Sequence, residues 1–224
     1  MIDPRGENSL MKFIDSFKRR RLGIPISLAF LGAVCFSYMA WWYQSHGVTE
    51  LDESVIQLVV LIRSPWLTWL FRGLTLLGSV TFIVTADLLI TALGIWKKHR
   101  GRDLLLLNLS NISGVVVMQV LKMIFGRERP PRPWLGTASG FSFPSGHSLM
   151  TALFYGFLLY LVVRRGRVWS GRKWLITILV SLPVLVGLSR VCLGVHYASD
   201  VLAGWAVGLA WAGVWMGIKE LNDN

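Results

Sequence analysis

Apolar residues in this chain are gathered into blocks long enough to cross a bilayer. A spanning helix needs about 20 apolar residues, and six stretches qualify: Ile24–Tyr43, Leu74–Trp96, Leu104–Phe125, Gly146–Val163, Trp174–Leu193 and Val201–Ile218. Within lipid each segment must satisfy its own backbone hydrogen bonds, so blocks of this kind fold as helices. The expected fold class is all-α: a polytopic membrane protein with six transmembrane helices. Of the 224 residues, 54% are hydrophobic and 16% charged, too few charges to coat a soluble domain of this length.

Between the first two spans, Leu51–Gly73 is apolar but carries Asp52, Glu53, Arg63, Pro65 and Arg72, with Glu50 just ahead of it. It reads as one or two short amphipathic helices lying in the interface; a seventh span is the competing reading. The first block follows a basic segment, but it is too long for a signal-peptide core and ends in Trp41, Trp42 and Tyr43, not in small residues. It stays as an anchor. Met11 also reads as a start, which would make residues 1–10 a lead-in. The expected organisation is a basic segment over 1–23, one membrane domain over 24–218 and a short tail over 219–224. No internal repeat breaks this up. Cys35 and Cys192 both lie in apolar blocks, without the spacing of a disulfide framework or a zinc site. They read as packing residues.

The net charge of +11 would suit a nucleic-acid partner if it formed one patch. It does not. Lys12, Lys18, Arg19, Arg20 and Arg21 precede the first span; Lys97, Lys98, Arg100 and Arg102 join the second and third; Arg164, Arg165, Arg167, Arg172 and Lys173 join the fourth and fifth. These loops alternate along the chain, so they share one side, and the positive-inside rule makes it the cytoplasm. Both termini are then cytoplasmic. The loops near Ser45–Leu70, Gly126–Ser145 and Gly194–Ser199 face outward, where Trp41, Trp42, Trp66, Trp69 and Trp134 suit an aromatic belt.

Some ionisable residues do not serve topology. Lys122 closes the third span, Arg127, Arg129 and Arg132 follow in "GRERPPRP", His147 opens the fourth span in "PSGH", Arg190 closes the fifth, and His196 and Asp200 open the sixth. Singly each has a plain explanation: a snorkelling anchor for Lys122 or Arg190, an ordinary helical pair for His196 and Asp200. Together they converge on one depth of the outer face, where the positive-inside rule disfavours cations. Ionisable groups at such depth mark functional sites.

Their chemistry suits phosphoryl transfer, in which catalysis is mostly positioning and charge stabilisation. Lys122, Arg129 and Arg190 supply cations, the two guanidinium forks binding oxygens in pairs. Ser145 and Gly146 offer backbone N–H groups at a helix N-terminus, where an anion is held. Pro144 presets the turn. Of the two histidines, His196 has Asp200 one turn away to hold its other nitrogen, which suits a nucleophile. His147 stands beside the anion cradle, which suits a general acid. The carboxylates expected near the site are Glu128 and Asp200 alone, so neither a metal nor another cofactor is expected.

Lys122 with six residues to Arg129-Pro130, then "PSGH", then Ser189-Arg190 with five residues to His196 and three more to Asp200, resemble the three-part signature of the type 2 phosphatidic acid phosphatase superfamily. The resemblance runs from Lys122 to Asp200 without departure. It implies Lys122, Arg129 and Arg190 as phosphate ligands, and Ser145, Gly146 and His147 in the middle motif. It further implies His196 as nucleophile through a phosphohistidine, with Asp200 as its partner. Size and layout are similar to the bacterial phosphatidylglycerophosphate and undecaprenyl pyrophosphate phosphatases of that superfamily. The implied partner is a membrane lipid phosphate, phosphatidic acid being a third possibility, with no nucleic acid. A phosphotransferase using the same site is an alternative. A transporter is another, favoured only by Asp87 in the second span, for which pairing with Asn108 or Asn111 is the simpler account.

Overall fold

A computed structural model of the protein describes residues 4–98, 101–131, 139–166 and 169–223, with side chains from residue 21 onward. Arg100, Arg132, Trp134, Arg167 and the side chains of Lys12, Lys18, Arg19 and Arg20 lie outside the described residues. Eight helices carry the regular structure among the described residues: α1 (Pro4–His46), α2 (Glu50–Ile62), α3 (Pro65–Leu76), α4 (Val80–Trp96), α5 (Gly101–Phe125), α6 (Gly146–Arg164), α7 (Arg172–Cys192) and α8 (Ala198–Asn222).

Five of the expected spans appear as long apolar helices: α1 over Arg21–His46, then α5, α6, α7 and α8. The stretch Leu74–Trp96, expected as one continuous span, is broken. α3 and α4 meet at an angle of 47° across Leu77–Ser79 and qualify as a span only as a bent pair. The cause is local. Gly78 is a poor helix former, and Ser79 takes an extended conformation and caps α4 by accepting from Phe82 N at 3.1 Å. The apolar segment before it resolves into two short helices, as expected. Thr49 caps α2 by accepting from Asp52 N, and Ser64 caps α3, which has Pro65 in its first turn.

α6 is the buried centre. Leu149, Met150, Leu153, Phe154 and Phe157 are fully enclosed, with α8, α7, α5 and α4 packed around the helix. Outside, Ile24, Phe30, Leu31, Leu61, Trp96, Ile112 and Trp174 are exposed, as lipid-facing side chains would be. Without a hydrophobic drive between helices in lipid, close packing supplies the contact energy and small residues permit it. α6 and α8 use Gly204 and Gly208 in this way: a Cβ at Gly204 would meet the Ser145 carbonyl at 2.5 Å and Ser148 Cβ at 2.9 Å, and one at Gly208 would meet the Leu149 carbonyl at 2.4 Å.

Because the Gly204 contact includes Ser145, the residue just before α6, it fixes the "PSGH" turn as well as the helix pair. Gly204→Ala should therefore cost about 1–3 kcal/mol by overpacking, which exceeds the roughly 1 kcal/mol that alanine returns in helix propensity. A lowered apparent Tm in detergent, with reduced activity in the surviving fold, is the expected result. An unchanged Tm would show that α6 and α8 separate freely.

At the far end of the bundle, charged groups are paired. Glu220 accepts from Arg164 at 2.8 and 2.9 Å and from Tyr160 Oη at 2.7 Å; Lys219 bridges Asp103 at 2.8 Å and Asp223 at 2.7 Å. Asp87 accepts from Asn111 Nδ2 at 2.9 Å, while Asn108 bonds Thr91 and the Leu104 carbonyl. Cys35 and Cys192 are both free.

Candidate active site

Antiparallel helices bring alternate ends together. The C-terminus of α5, the N-terminus of α6, the C-terminus of α7 and the N-terminus of α8 meet at the end opposite the Glu220 and Lys219 pairs. This gathers Lys122, Arg129, Ser145, Gly146, His147, Arg190, His196 and Asp200. Phe143 locks the "FSFPSGH" turn in place. Its ring is fully buried and packs on Phe36 and Tyr43 of α1 and Phe125 of α5, at centroid separations of 6.0, 5.3 and 5.1 Å. The peptide between Phe143 and Pro144 is cis.

His196 lies in the turn between α7 and α8, not on the helix, and is almost wholly buried. Its Nδ1 is 3.3 Å from Asp200 Oδ2 and 3.2 Å from Ser142 Oγ; its Nε2 is 3.2 Å from Arg129 Nη1. A guanidinium nitrogen can only donate, so Nε2 is the acceptor and the ring proton is on Nδ1, facing Asp200. Burial pulls this imidazole down to about 4, against the opposing pull of Asp200, with Arg190 and Arg129 adding to the depression. It is neutral at physiological pH.

Asp200 is saturated. Oδ2 accepts from Ser142 Oγ, from Tyr197 N at 2.9 Å and from the His196 ring; Oδ1 accepts from Arg127 Nη1 at 2.6 Å. Its backbone carbonyl takes the Ser145 N–H at 2.9 Å. That bond revises one expectation: the Ser145 N–H, expected to hold an anion, is spent on joining the turn to α8. The donors available to an anion at this helix start with Gly146. A Cβ at Gly146 would strike Met118 Sδ at 2.4 Å, so the turn seats directly on α5.

Three cations surround the histidines. Arg129 donates to the carbonyls of Gly140, Ser139 and Val195 at 2.9, 3.1 and 2.8 Å, and Lys122 donates to the Phe141 carbonyl. Burial lowers the Arg129 guanidinium from its usual range, with Asp200 opposing. Arg190 is buried and donates from Nη1 to Thr75 Oγ1 at 2.7 Å, leaving its Nε without a partner. His147 is half-buried, its ring against Gly78 in the break between α3 and α4, where a Cβ would lie 3.4 Å from His147 Cδ2. The α3–α4 break therefore forms one wall of the site, through Thr75 and Gly78.

One carboxylate at the site was not anticipated. Asp52 of α2 is completely buried; its oxygens accept from Ser199 N, Ser199 Oγ and Arg127 Nη2 at 2.9, 2.7 and 2.8 Å. The expectation that Glu128 and Asp200 are the only carboxylates at the site therefore fails. In the sequence Asp52 sits with Glu50 and Glu53 in a helix first turn, where acids are ordinary, and nothing separates it from them. Ser142 and Thr75 were equally invisible. Among the described residues no group of three or more His, Cys, Asp or Glu side chains converges as a metal site would require.

Comparison with known proteins follows the same residues. The model of the PAP2 superfamily matches residues 103–223. Phosphatidylglycerophosphatase B of Bacillus subtilis is 36% identical over 83% of this chain and 89% of its own. The undecaprenyl-diphosphatase of Sulfolobus acidocaldarius is 29% identical over 53% of this chain and 56% of its own. The crystal structure of a transmembrane PAP2-type phosphatidylglycerolphosphate phosphatase from Bacillus subtilis superposes with a TM-score of 0.79, at 34% identity, covering 88% of this chain and 96% of that one. With the family model spanning more than half of its length and its helical frame shared with a solved member, the chain belongs to the PAP2 superfamily of phosphatases.

Proposed function

We propose that this multi-pass membrane protein hydrolyses a phosphate monoester or pyrophosphate on a membrane lipid, by way of a phosphohistidine at His196. The observation that carries the reading is the line Arg129–His196–Asp200: Nε2 accepts from a guanidinium, while Nδ1 is held by a carboxylate. When phosphate oxygens take up Arg129, phosphorus is brought to the nitrogen lone pair. Nε2 attacks, the lipid oxygen leaves, and His147 protonates it. Water, deprotonated by the same His147, then cleaves the phosphorus–nitrogen bond and restores His196. Lys122, Arg129, Arg190 and the N–H groups from Gly146 onward stabilise charge on the equatorial oxygens. Asp200 balances the imidazolium-like charge that develops.

The substrate class follows from the relatives, which are named for phosphatidylglycerophosphate and undecaprenyl diphosphate. Purified protein should release phosphate from one of these lipids, or from phosphatidic acid, in a side-by-side comparison. Turnover should persist in excess chelator, because the cations at the site are side chains. Vanadate, which mimics five-coordinate phosphorus, should inhibit. Activity lost to chelator and restored by magnesium would replace this mechanism with a metal-assisted one.

Among the described residues, the basic side chains Lys97, Lys98, Arg102, Arg164, Arg165, Arg172 and Lys173 lie at the end of the bundle remote from His196. By the positive-inside rule they are cytoplasmic, and the site faces outward. In a Cys35→Ala/Cys192→Ala background, Ser139→Cys should react with an impermeant thiol reagent in intact cells. Trp169→Cys should react only after lysis; the reverse pattern would invert the topology.

A further inference from the structure

Behind Asp200 lies a buried chain of charge that the phosphatase mechanism above does not use. Arg127 is only 3% exposed and donates to Asp200 Oδ1 at 2.6 Å, Asp52 Oδ2 at 2.8 Å and Ser199 Oγ at 2.7 Å. Its guanidinium carbon lies 4.2 Å from the Tyr197 ring centroid and 4.7 Å from that of Tyr43. Burial opposes its charge, but Asp200 and Asp52 outweigh this and hold the group above its ordinary range. Asp52 is in turn fixed by both donors of Ser199.

Removing three charges from water is costly, and a buried ion triad is often no more stabilising than well-packed apolar side chains. Anchoring α2 alone would not need it. The geometry does bear on the reaction. Arg127 grips Oδ1 of Asp200, the oxygen that His196 does not use. Asp52 sets how much of the Arg127 charge Asp200 feels.

We infer that Arg127 and Asp52 are positioning residues for the nucleophile, a relay Asp52–Arg127–Asp200–His196 that fixes the carboxylate and tunes the basicity of the imidazole. The inference rests on His196 being the nucleophile. The charged groups around His196 are Asp200 from α8, Arg129 from the segment after α5, Arg190 from α7 and His147 from α6; Lys122 of α5 stands beside His147, and Arg127 and then Asp52 of α2 lie behind Asp200. Arg127 and Asp52 can be altered without touching a group that the proposed mechanism places on the substrate.

The charges make opposite predictions for its two ends. Asp52→Asn frees the full positive charge of Arg127 to act on Asp200, so protonated His196 is disfavoured and the acidic limb of kcat/KM moves to lower pH. Arg127→Gln leaves Asp200 uncompensated, so protonated His196 is favoured and the limb moves to higher pH. Each shift should be about one pH unit, with kcat/KM at neutral pH down about 10–100-fold, as for groups that orient a reacting side chain from behind. Arg127→Lys keeps the charge but loses the fork; its limb should stay with wild type while its rate falls.

The experiment is the kcat/KM–pH profile of the full-length protein in detergent on one soluble phosphate ester. Ionisation of the substrate is common to all variants, so differences between profiles report the enzyme. Limbs displaced in opposite directions support the relay. Limbs that stay with wild type, or move together, overturn it and leave a structural anchor. If Arg127→Gln does not fold, Asp52→Asn decides alone: a downward limb supports the relay, and an unchanged or upward one overturns it. Trapping of labelled phosphate on wild-type His196 separates the two levels. No label there overturns the underlying mechanism, whereas label with immobile limbs overturns this inference only.

Discussion

Replacing His196 by alanine should lower phosphate release by on the order of 10⁴–10⁶-fold, the range seen when a nucleophile or its base is removed, and leave no label on the protein. Replacing His147 should be nearly as damaging with a lipid substrate, for a different reason. In the proposed mechanism His196 contributes the attacking lone pair, with the ring proton held on Nδ1 against Asp200 and Ser142. Among the described residues His147 has no carboxylate partner, and its ring stands against Gly78, where a group meeting the leaving oxygen could sit. An alkoxide leaves poorly without a proton, whereas nitrophenolate leaves unaided. With nitrophenyl phosphate, His147→Ala should therefore still form the acid-labile, base-stable phosphohistidine, and then hydrolyse it slowly for want of a base. His196→Ala should gain nothing from the better leaving group. Label accumulating in His196→Ala and absent from His147→Ala would reverse the two roles.

Different parts of this molecule were legible in the sequence to different degrees. Span positions were readable because lipid imposes a length and an apolar composition on any helix that crosses it. The one failure, the broken stretch Leu74–Trp96, came where three residues, Leu77 to Ser79, end one helix and cap the next inside an apolar run. Hydropathy is blind to that. The candidate site was readable because its cations and histidines stand where neither topology nor packing asks for them, and because short spacers place them at helix ends. Its support was not. Asp52 reaches Ser199 across 147 positions of sequence, and Arg190 reaches Thr75 across 115. Such partners share no motif; only the packing of α2 and α3 against α7 and α8 brings them in. Arg127 stood in view with the other cations, yet its neighbours decide its role. It faces two aspartates and two tyrosine rings, whereas Arg129, two residues on, faces His196.

That difference gives the two arginines proposed to bind phosphate their own expected result. Arg190→Ala and Arg129→Ala should each leave a folded protein whose kcat falls by about 10²–10³-fold, the usual loss for one preorganised donor to transition-state charge, or roughly 3–4 kcal/mol. Arg190 is the sharper test. It is buried, Thr75 holds one arm of its fork, and its Nε is left without a partner, which is an unmet demand that a phosphate oxygen would satisfy. In Arg190→Lys the single ammonium must choose between Thr75 and phosphate, so charge is kept while geometry is lost, and most of the alanine defect should remain. Arg129→Lys adds a second loss, because Arg129 spans Val195, Gly140 and His196 at once. Thr75→Val removes the hydroxyl that steadies Arg190 without removing the charge, and should fall between wild type and Arg190→Lys. Near-normal turnover in Arg190→Lys, measured at saturating substrate with the fold intact, would make Arg190 a membrane anchor and leave Lys122 and Arg129 to carry the phosphate.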